Sequence, residues 1–251
     1  MHPRGETRGL FVTGTDTNVG KSLAACALVR ILRGQGLDAV GFKPVATGRA
    51  GVSWGDAVAL YEASDQAEPL EELCPLRFAL PLAPTIAALA QGLEPDMEVA
   101  RRAFTRLCRR HSAIIVEGIG GVLVPLDRHT LVLDFAAQTG FPLLIVCRAG
   151  LGTINHTLLT VREIERRGLP VAGIIMNVTR PLDGALANGA REEIERISGS
   201  KVIATIAFLG LEEGPDAPGS SLVERAAAAL AKQVDCRSLL GSSEGTLGVG
   251  F

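Results

Sequence analysis

The chain has 251 residues, of which 47% are hydrophobic and 21% are charged. This length and composition are typical of one globular α/β domain and exclude a largely disordered protein. The formal charge is -2, from 25 basic and 27 acidic residues, so a basic surface for nucleic acid or anionic membranes is not expected. The bulk properties therefore favour a small-molecule ligand.

The cysteine pattern bears on the cellular compartment. None of the five cysteines has CxxC spacing, which argues against a zinc site and a disulfide framework: Cys26, Cys74, Cys108, Cys147 and Cys236. Residues 1–9 are polar, and the apolar run after them is too short for a signal peptide or a membrane span. We therefore expect a reducing, cytoplasmic location.

Short apolar runs rich in β-branched residues alternate with longer amphipathic segments along most of the chain. The predicted strands are residues 10–13, 39–45, 113–117, 143–147, 171–177 and 202–206. The predicted helices are residues 21–33, 96–110 and 153–167, with two more starting near Asp183 and Ser220. This alternation predicts a doubly wound, mostly parallel sheet flanked by helices, with ligands at the carboxyl ends of the strands.

Two stretches depart from this alternation. Residues 69–91 contain Pro75, Pro81 and Pro84, which indicates an irregular excursion with one short helix after Pro84. Residues from Cys236 onward lack periodicity. We therefore expect a single domain over residues 1–235 and a flexible tail over residues 236–251.

A glycine-rich loop follows the first predicted strand and precedes the first predicted helix. In such a loop the backbone N–H groups and the helix dipole converge on an anion. Gly20 lets the backbone approach a phosphate, Lys21 reaches the β- and γ-phosphates, and the Ser22 hydroxyl can bind Mg²⁺. The leading glycine is Gly14, one place earlier than strict Walker A spacing requires. The context still predicts ATP binding rather than an incidental glycine-rich turn.

Three further charged residues follow other predicted strands. Lys43 lies near the end of the second strand and suits a carboxylate or a phosphate, although a solvated strand end is the alternative. Glu117 ends the third strand, and Asp56 follows the Lys43 segment. Together with Ser22, these carboxylates would be the protein ligands of a Mg²⁺ ion. Asp56 could instead cap a helix over residues 57–61.

The loop Gly-Thr-Asp-Thr-Asn-Val-Gly-Lys-Ser over residues 14–22 resembles the signature of the dethiobiotin synthetase family, which has a P-loop NTPase fold. Four later segments are similar to the family's motifs in the same order: Lys43-Pro44-Val45, residues 116–121, residues 152–156 and Asn177. The resemblance extends from residue 10 to about residue 209. It departs at Asn18, which is often acidic in the family, and at Ala207, where the family has proline.

The resemblance implies a role for each matching position. Lys21 and Lys43 would be catalytic, and Ser22, Asp56 and Glu117 would hold Mg²⁺. The ATP-binding residues would be Thr17, Asn18, Val19, Gly20, Lys21, Ser22, Asp56, Glu117 and Asn177. The substrate-binding residues would be Thr15, Lys43, Thr47, Gly118, Gly121, Gly152, Thr153 and Asn155.

The reaction that the resemblance implies joins CO₂ to 7,8-diaminopelargonic acid with ATP, giving dethiobiotin, ADP and phosphate. A carbamate forms on one amine and is phosphorylated, and the second amine then closes the ureido ring. The resemblance also implies a homodimer with shared sites, in which the partner chain supplies the helix start that contains Thr153 and Asn155. No nucleic acid or membrane partner is expected.

Two other functions share this fold group. A nucleotide-switch ATPase of the partition or metal-insertion class often carries a second lysine early in the loop, where this chain has Thr15 and Asp16. That function would also leave Lys43 without a role. A cobyrinate-type amidating synthetase would be expected to carry a glutamine-hydrolysing domain, for which 251 residues leave little room. We therefore expect the ligase.

Overall fold

The computed structural model describes residues 7–51, 53–181, 184–210 and 218–242. The strands, numbered in chain order, are β1 (Arg8–Gly14), β2 (Ala39–Phe42), β3 (Val45–Thr47), β4 (Leu76–Phe78), β5 (Ala113–Gly121), β6 (Leu143–Arg148), β7 (Val171–Asn177), β8 (Val202–Ile206) and β9 (Gly241–Ser242). The helices are α1 (Lys21–Gly34), α2 (Gly55–Ala63), α3 (Leu70–Leu73), α4 (Pro84–Leu89), α5 (Met97–Arg110), α6 (Val132–Thr139), α7 (Thr153–Arg166), α8 (Gly184–Ser198) and α9 (Ser220–Ala231). None of the helices in these ranges is long and apolar enough to span a membrane.

The main sheet has the strand order β2-β5-β1-β6-β7-β8, and all of these neighbours pair in parallel. The short strand β9 pairs antiparallel with the start of β1. Each parallel connection runs through a helix, because parallel neighbours cannot be joined by a tight turn. The predicted doubly wound, mostly parallel sheet is therefore confirmed.

Two hydrophobic layers cover the two faces of the sheet. Leu10 and Val12 of β1 contribute to the layer that contains α1, α2 and α9, whereas Phe11 contributes to the layer that contains α4 to α8. This alternation follows from the two-residue period of side chains along a strand. In the second layer the ring of Phe104 packs against Phe42 and Phe141, with ring centroids 5.8 and 5.6 Å apart. Both faces are thus buried, as a parallel sheet requires.

The predicted strand over residues 39–45 is wrong in one respect, because the chain leaves the main sheet after Phe42. The Lys43 N–H donates to the Leu73 carbonyl at 2.7 Å, and Pro44 has no N–H to continue the ladder. Strand β3 then pairs in parallel with β4 to form a separate two-stranded sheet. The break turns Lys43 away from the main sheet and toward the carboxyl end of β5.

Other segments are more regular than predicted. Residues 69–91 contain α3, β4 and α4 rather than a single short helix, and α6 was not predicted. The glycines of residues 118–121 belong to β5 and not to a loop after it. The tail was predicted to begin at Cys236, but Cys236 and Leu240 are buried and β9 pairs with β1. Residues 243–251 lie outside the described residues, as does the predicted helix start near Asp183.

Candidate active site

A cleft of about 720 Å³ opens at the carboxyl ends of the parallel strands. Nine of the predicted site residues line it: Thr17, Asn18, Gly20, Lys21, Ser22, Lys43, Thr47, Asp56 and Asn177. Apolar residues that sequence reasoning missed line much of the remainder, including Leu23, Val124, Val178, Phe208, Leu209 and Leu222. They come from several distant segments and share no motif, so only the fold brings them together.

The phosphate loop between β1 and α1 depends on two residues with positive φ. Asn18 has φ 57° and Gly20 has φ 98°, so the backbone turns sharply just before α1 begins. Lys21 is buried, and its ammonium donates to the Asp16 carbonyl at 2.7 Å. Burial, and then the nearby Lys43 ammonium, lower the pKa of Lys21 to about 8. The lysine thus folds back onto the loop that precedes it.

Asn177 supports the phosphate loop from the end of β7. Its side-chain amide donates to the Val19 carbonyl at 3.1 Å, and the residue is almost fully buried. A Cβ atom added at Gly20 would lie 2.2 Å from the Asn177 amide nitrogen. Gly20 is therefore required both for its positive φ and for the close approach of this amide.

Lys43 lies at the centre of a buried charged cluster. Its ammonium is 2.7 Å from Glu117 Oε1 and 3.2 Å from Asp56 Oδ2. Ser22 Oγ donates to the same Glu117 oxygen at 2.7 Å. Burial alone would lower the pKa of Lys43, but Asp56 and Glu117 outweigh burial and raise it above its usual value. The two carboxylates therefore favour the ammonium form of Lys43.

The two carboxylates of the cluster respond differently to their surroundings. Glu117 is completely buried, and burial raises its pKa despite the adjacent Lys43 ammonium. Asp56 is partly exposed at the start of α2, and the Lys43 ammonium lowers its pKa, with Ser22 also contributing. Asp56 lies inside the first turn of α2 and pairs with Lys43, so the helix-capping alternative is wrong.

The oxygen atoms of the cluster fit a divalent cation such as Mg²⁺. Glu117 Oε2 is buried and has no hydrogen-bond partner among the described residues, which is costly unless a ligand compensates it. Ser22 and Asp56 supply further oxygen donors beside it. No group of three or more His, Cys, Asp or Glu side chains with metal-binding geometry occurs in the described ranges. An ion here would also need water and phosphate oxygens, which is how Mg²⁺ is usually bound.

Several predicted site residues do not line the cleft. A Cβ atom on Gly118 would lie 3.1 Å from the Phe11 ring, so Gly118 faces the core, and Gly121 pairs with Gly14. Ile119 and Gly120, which lie between them, line the cleft instead. Thr15, Val19 and Glu117 are also absent from the cleft wall, although Glu117 contacts Lys43 and Ser22, which line it.

The start of α7 is separate from the cleft of its own chain. Gly152, Thr153 and Asn155 do not line that cleft, and Gly152 and Asn155 are exposed. Thr153 is buried beneath them. The adjacent Leu151 is 99% exposed, which is unusual for a large apolar side chain. Within one chain, the structure therefore does not bring these three residues to the other predicted site residues.

Comparison with known proteins identifies the family. Residues 8–213 match the family described as an AAA domain. The ATP-dependent dethiobiotin synthetase BioD of Anaeromyxobacter dehalogenans strain 2CP-C is 51% identical over 199 residues, which cover 79% of this chain and 89% of that protein. The protein of the same name from Nitrosospira multiformis is 40% identical over 70% of this chain and 78% of its own. The protein of the same name from Bacillus cereus strain B4264 is 34% identical over 81% of this chain and 85% of its own.

Solved structures show the same fold at much lower identity. A ParA family ATPase from Chlorobium tepidum TLS has a TM-score of 0.53 at 14% identity, over 90% of this chain and 96% of that chain. The MinC:MinD cell division protein complex of Aquifex aeolicus gives a TM-score of 0.52 at 13% identity, over 91% and 97%. At these identities the likeness shows the fold alone. The identity to the curated relatives extends over most of both chains, and on that basis this chain belongs to the ATP-dependent dethiobiotin synthetase family.

Proposed function

We propose that this protein closes the ureido ring of dethiobiotin from 7,8-diaminopelargonic acid, CO₂ and ATP, as a step of biotin biosynthesis. The observation that carries the proposal is the buried pairing of Lys43 with Glu117 and Asp56 beside the phosphate loop. A buried cation next to a phosphate-binding loop suits a reaction in which a carbamate oxygen attacks a phosphoryl group. A nucleotide switch needs no such cation.

In the proposed reaction the chain contributes positioning and charge. The phosphate loop and Lys21 hold the β- and γ-phosphates, and Lys43 neutralises the carbamate that CO₂ forms on one amine. The carbamate oxygen takes the γ-phosphoryl group and ADP leaves. The second amine then attacks the carbamate carbon, the C–O bond to the phosphate breaks, and phosphate leaves as the ring closes. Asp56 and Glu117 raise the pKa of Lys43, which suits charge neutralisation better than proton acceptance in this step.

Ser22, Asp56 and Glu117 are the residues that we propose to hold Mg²⁺. When bound, the ion would neutralise charge on the phosphates during transfer. The buried and unpartnered Glu117 Oε2 supports this assignment. Asp56 supports it as well, because the lowered pKa keeps this carboxylate ionised and able to bind a cation.

We further propose a homodimer in which two chains build each site. Thr15, Thr47, Gly118 and Gly121 would contact the diamine from one chain, with the two glycines contributing backbone atoms. Gly152, Thr153 and Asn155 of the second chain would bind its carboxylate.

The N-terminus of α7 offers unpaired N–H groups and the positive end of the helix dipole to that carboxylate. The exposed Leu151 and Leu123 would be covered by the second chain. The cysteines of the described residues are free thiols, which suits the reducing cytoplasm where we place the protein.

A coupled ADP-release assay tests the proposal directly. The purified chain would receive ATP, MgCl₂, bicarbonate and the diamine, and each would be omitted in turn. We expect ADP release to need all four components and to match dethiobiotin formation in amount. ADP release that continues without the diamine or bicarbonate would favour a nucleotide switch and contradict the ligase.

A further inference from the structure

Trp54, the only tryptophan of the chain, lies two residues before Asp56 and is held by three contacts. Its indole N–H donates to the Phe78 carbonyl at 2.9 Å. The guanidinium carbons of Arg77 and Arg49 lie 5.3 and 5.9 Å from the centre of the ring. Both distances are within the range of cation–π attraction. The ring is therefore fixed on β4 and the segment that follows β3.

The backbone of Trp54 continues directly into the helix that bears Asp56. Trp54 is the N-cap of α2, and its carbonyl accepts the first helical hydrogen bond, from the Val58 N–H at 3.0 Å. No side chain caps this helix start. Asp56 is only two residues further on, and its carboxylate reaches Lys43 at 3.2 Å. The position of this carboxylate thus depends on where the Trp54 ring anchors the first turn.

Besides the Trp54 ring, the start of α2 is held by the buried Ala57 and by the contacts that Asp56 makes with Lys43 and Ser22. Asp56 itself is 44% exposed, so packing does not hold its side chain. The small apolar cluster beneath the start of α2 consists of Ala46, Ala57 and Cys74, against which the Trp54 ring packs. These side chains are small, so the indole provides the largest apolar surface of the cluster.

We propose that Trp54 is a positioning residue that holds Asp56 in place for the divalent cation. The indole joins the two-stranded sheet, which bears Thr47, to the start of α2, which bears Asp56. Two segments that line the cleft are thereby linked. This inference rests on the proposed assignment of Asp56 to the Mg²⁺ site.

The test uses Trp54→Phe and measures ADP binding by calorimetry at increasing MgCl₂. Phenylalanine keeps a ring for the two arginines but cannot donate to the Phe78 carbonyl. Losing this hydrogen bond should raise the Mg²⁺ concentration for half-maximal enhancement of ADP binding by about three- to tenfold. ADP affinity without Mg²⁺ should not change. Tyr61→Phe is the matched control. It removes the hydrogen bond that the hydroxyl of Tyr61, on the same helix, donates to Gln66, and it should leave the Mg²⁺ dependence of ADP binding unchanged.

A double-variant measurement separates this inference from the proposed function. Asp56→Asn should strongly raise the Mg²⁺ concentration for half-maximal enhancement of ADP binding. Adding Trp54→Phe to it should not raise this concentration further, because both substitutions act through one carboxylate. If Asp56→Asn leaves the Mg²⁺ dependence unchanged, the metal assignment itself fails and the inference fails with it. If Asp56→Asn weakens the dependence but Trp54→Phe does not, only the positioning role is overturned. Equal losses from Trp54→Phe in both backgrounds would also overturn it.

A second variant keeps the inference testable should Trp54→Phe fail to fold. Arg77→Met retains the tryptophan and its hydrogen bond but removes one cation from the ring. The Mg²⁺ concentration for half-maximal enhancement of ADP binding should therefore rise by about two- to fivefold. Because Trp54 is the only tryptophan, its fluorescence reports the ring environment in this variant. Glu71→Gln removes the ion pair of Arg77 at 3.5 Å without touching the ring and serves as the control. An unchanged Mg²⁺ dependence in Arg77→Met would overturn the inference.

Discussion

Lys43 and Glu117 are both almost fully buried, at 2% and 0% exposure, and each compensates the charge of the other. Removing one member of such a pair leaves an unpaired charge in the interior, which typically costs about 3–5 kcal/mol. Burial of the pair is therefore not explained by stability alone, because an apolar pair would pack without that risk. The pair is better explained by the cation that it keeps beside the phosphate loop.

Lys43→Gln should separate binding from chemistry. The amide can still donate to Glu117, so we expect a folded protein that is less stable by up to about 3–5 kcal/mol. ADP binding should survive, whereas kcat/KM for dethiobiotin formation should fall by at least ~10²-fold because the cation is gone. Urea unfolding and product assays measure the two effects. Lys201→Gln, at an exposed lysine, is the control and should alter neither. Unchanged product formation in Lys43→Gln would contradict the assigned role.

Sequence reasoning located the charged residues but not their environment. Lys21, Lys43 and Glu117 were predicted at strand ends. Parallel strands bring their carboxyl ends to one edge of the sheet, so the sequence also predicted that these residues lie close together. The orientation of Gly118 did not follow, because β5 continues to Gly121 instead of ending at Glu117. In a continuous strand, successive side chains alternate, so Gly118 must face the core when Glu117 faces α1. Because the predicted strand ended at Glu117, the sequence did not predict which way Gly118 faces.

At the scale of elements, helices and strands with strong periodicity were predicted to within a few residues. Strands β7 and β8 have the predicted bounds, and α1 differs by one residue. The break between β2 and β3 could have been inferred from Pro44, which removes one donor from the ladder. The pairing of β3 with β4 could not, because it joins residues about 30 positions apart through a two-stranded sheet of three residues per strand. Such short strands carry too little periodicity to be recognised.

Gly20→Ala should disrupt the junction of β1, the phosphate loop and α1. The new methyl group would lie 2.2 Å from the Asn177 amide, and alanine would also be strained at φ 98°. Gly36→Ala is the matched control, because Gly36 has φ 81° but no atom within 4 Å of the added carbon. The control should cost only the strain of about 1–2 kcal/mol. Gly20→Ala should cost more.

ADP binding distinguishes these two glycine variants further. Gly20→Ala should weaken it at least about tenfold, which corresponds to 1.4 kcal/mol. The reason is that the Asn177 amide would have to release the Val19 carbonyl that shapes the loop. Gly36→Ala should bind ADP normally. Thermal unfolding and calorimetry measure the two quantities, and equal ADP affinity in both variants would show that the close approach at Gly20 has no role.

Residues 232–242, which follow α9, pack against the folded domain. Leu240 is 4% exposed, and its carbonyl accepts a hydrogen bond from Arg8 at 2.5 Å. Leu240→Ala should therefore lower the free energy of unfolding by about 2–5 kcal/mol, as expected for truncating a buried leucine. Leu239→Ala, at the neighbouring half-buried leucine, should cost clearly less. Similar urea midpoints for the two variants would restore the prediction of a tail that begins at Cys236.

At the scale of the whole molecule, the sequence predicted the fold class and the family. It did not reveal whether one chain contains all of the site residues. Residues of the phosphate loop, both lysines and Asp56 line one cleft of a single chain, and Glu117 contacts Lys43 from outside the cleft wall. The start of α7 lies elsewhere on the surface, next to the fully exposed Leu151. No periodicity or spacing reveals which surface meets another copy, because the relevant distances are between chains. The homodimer therefore stays a prediction.

Mixing two inactive chains tests the shared site. One chain would carry Lys21→Ala, and the other would carry Asn155→Asp, which places a carboxylate where the substrate carboxylate should bind. Asn155 is exposed, so this change should not affect folding. A purified heterodimer would have one doubly damaged site and one intact site, and it should recover up to about half of the wild-type activity if the sites are independent. Each homodimer alone should stay inactive and is the control. If Asn155 served only its own chain, both chains of the heterodimer would remain damaged, so confirmed heterodimers that recover no activity would contradict the shared site.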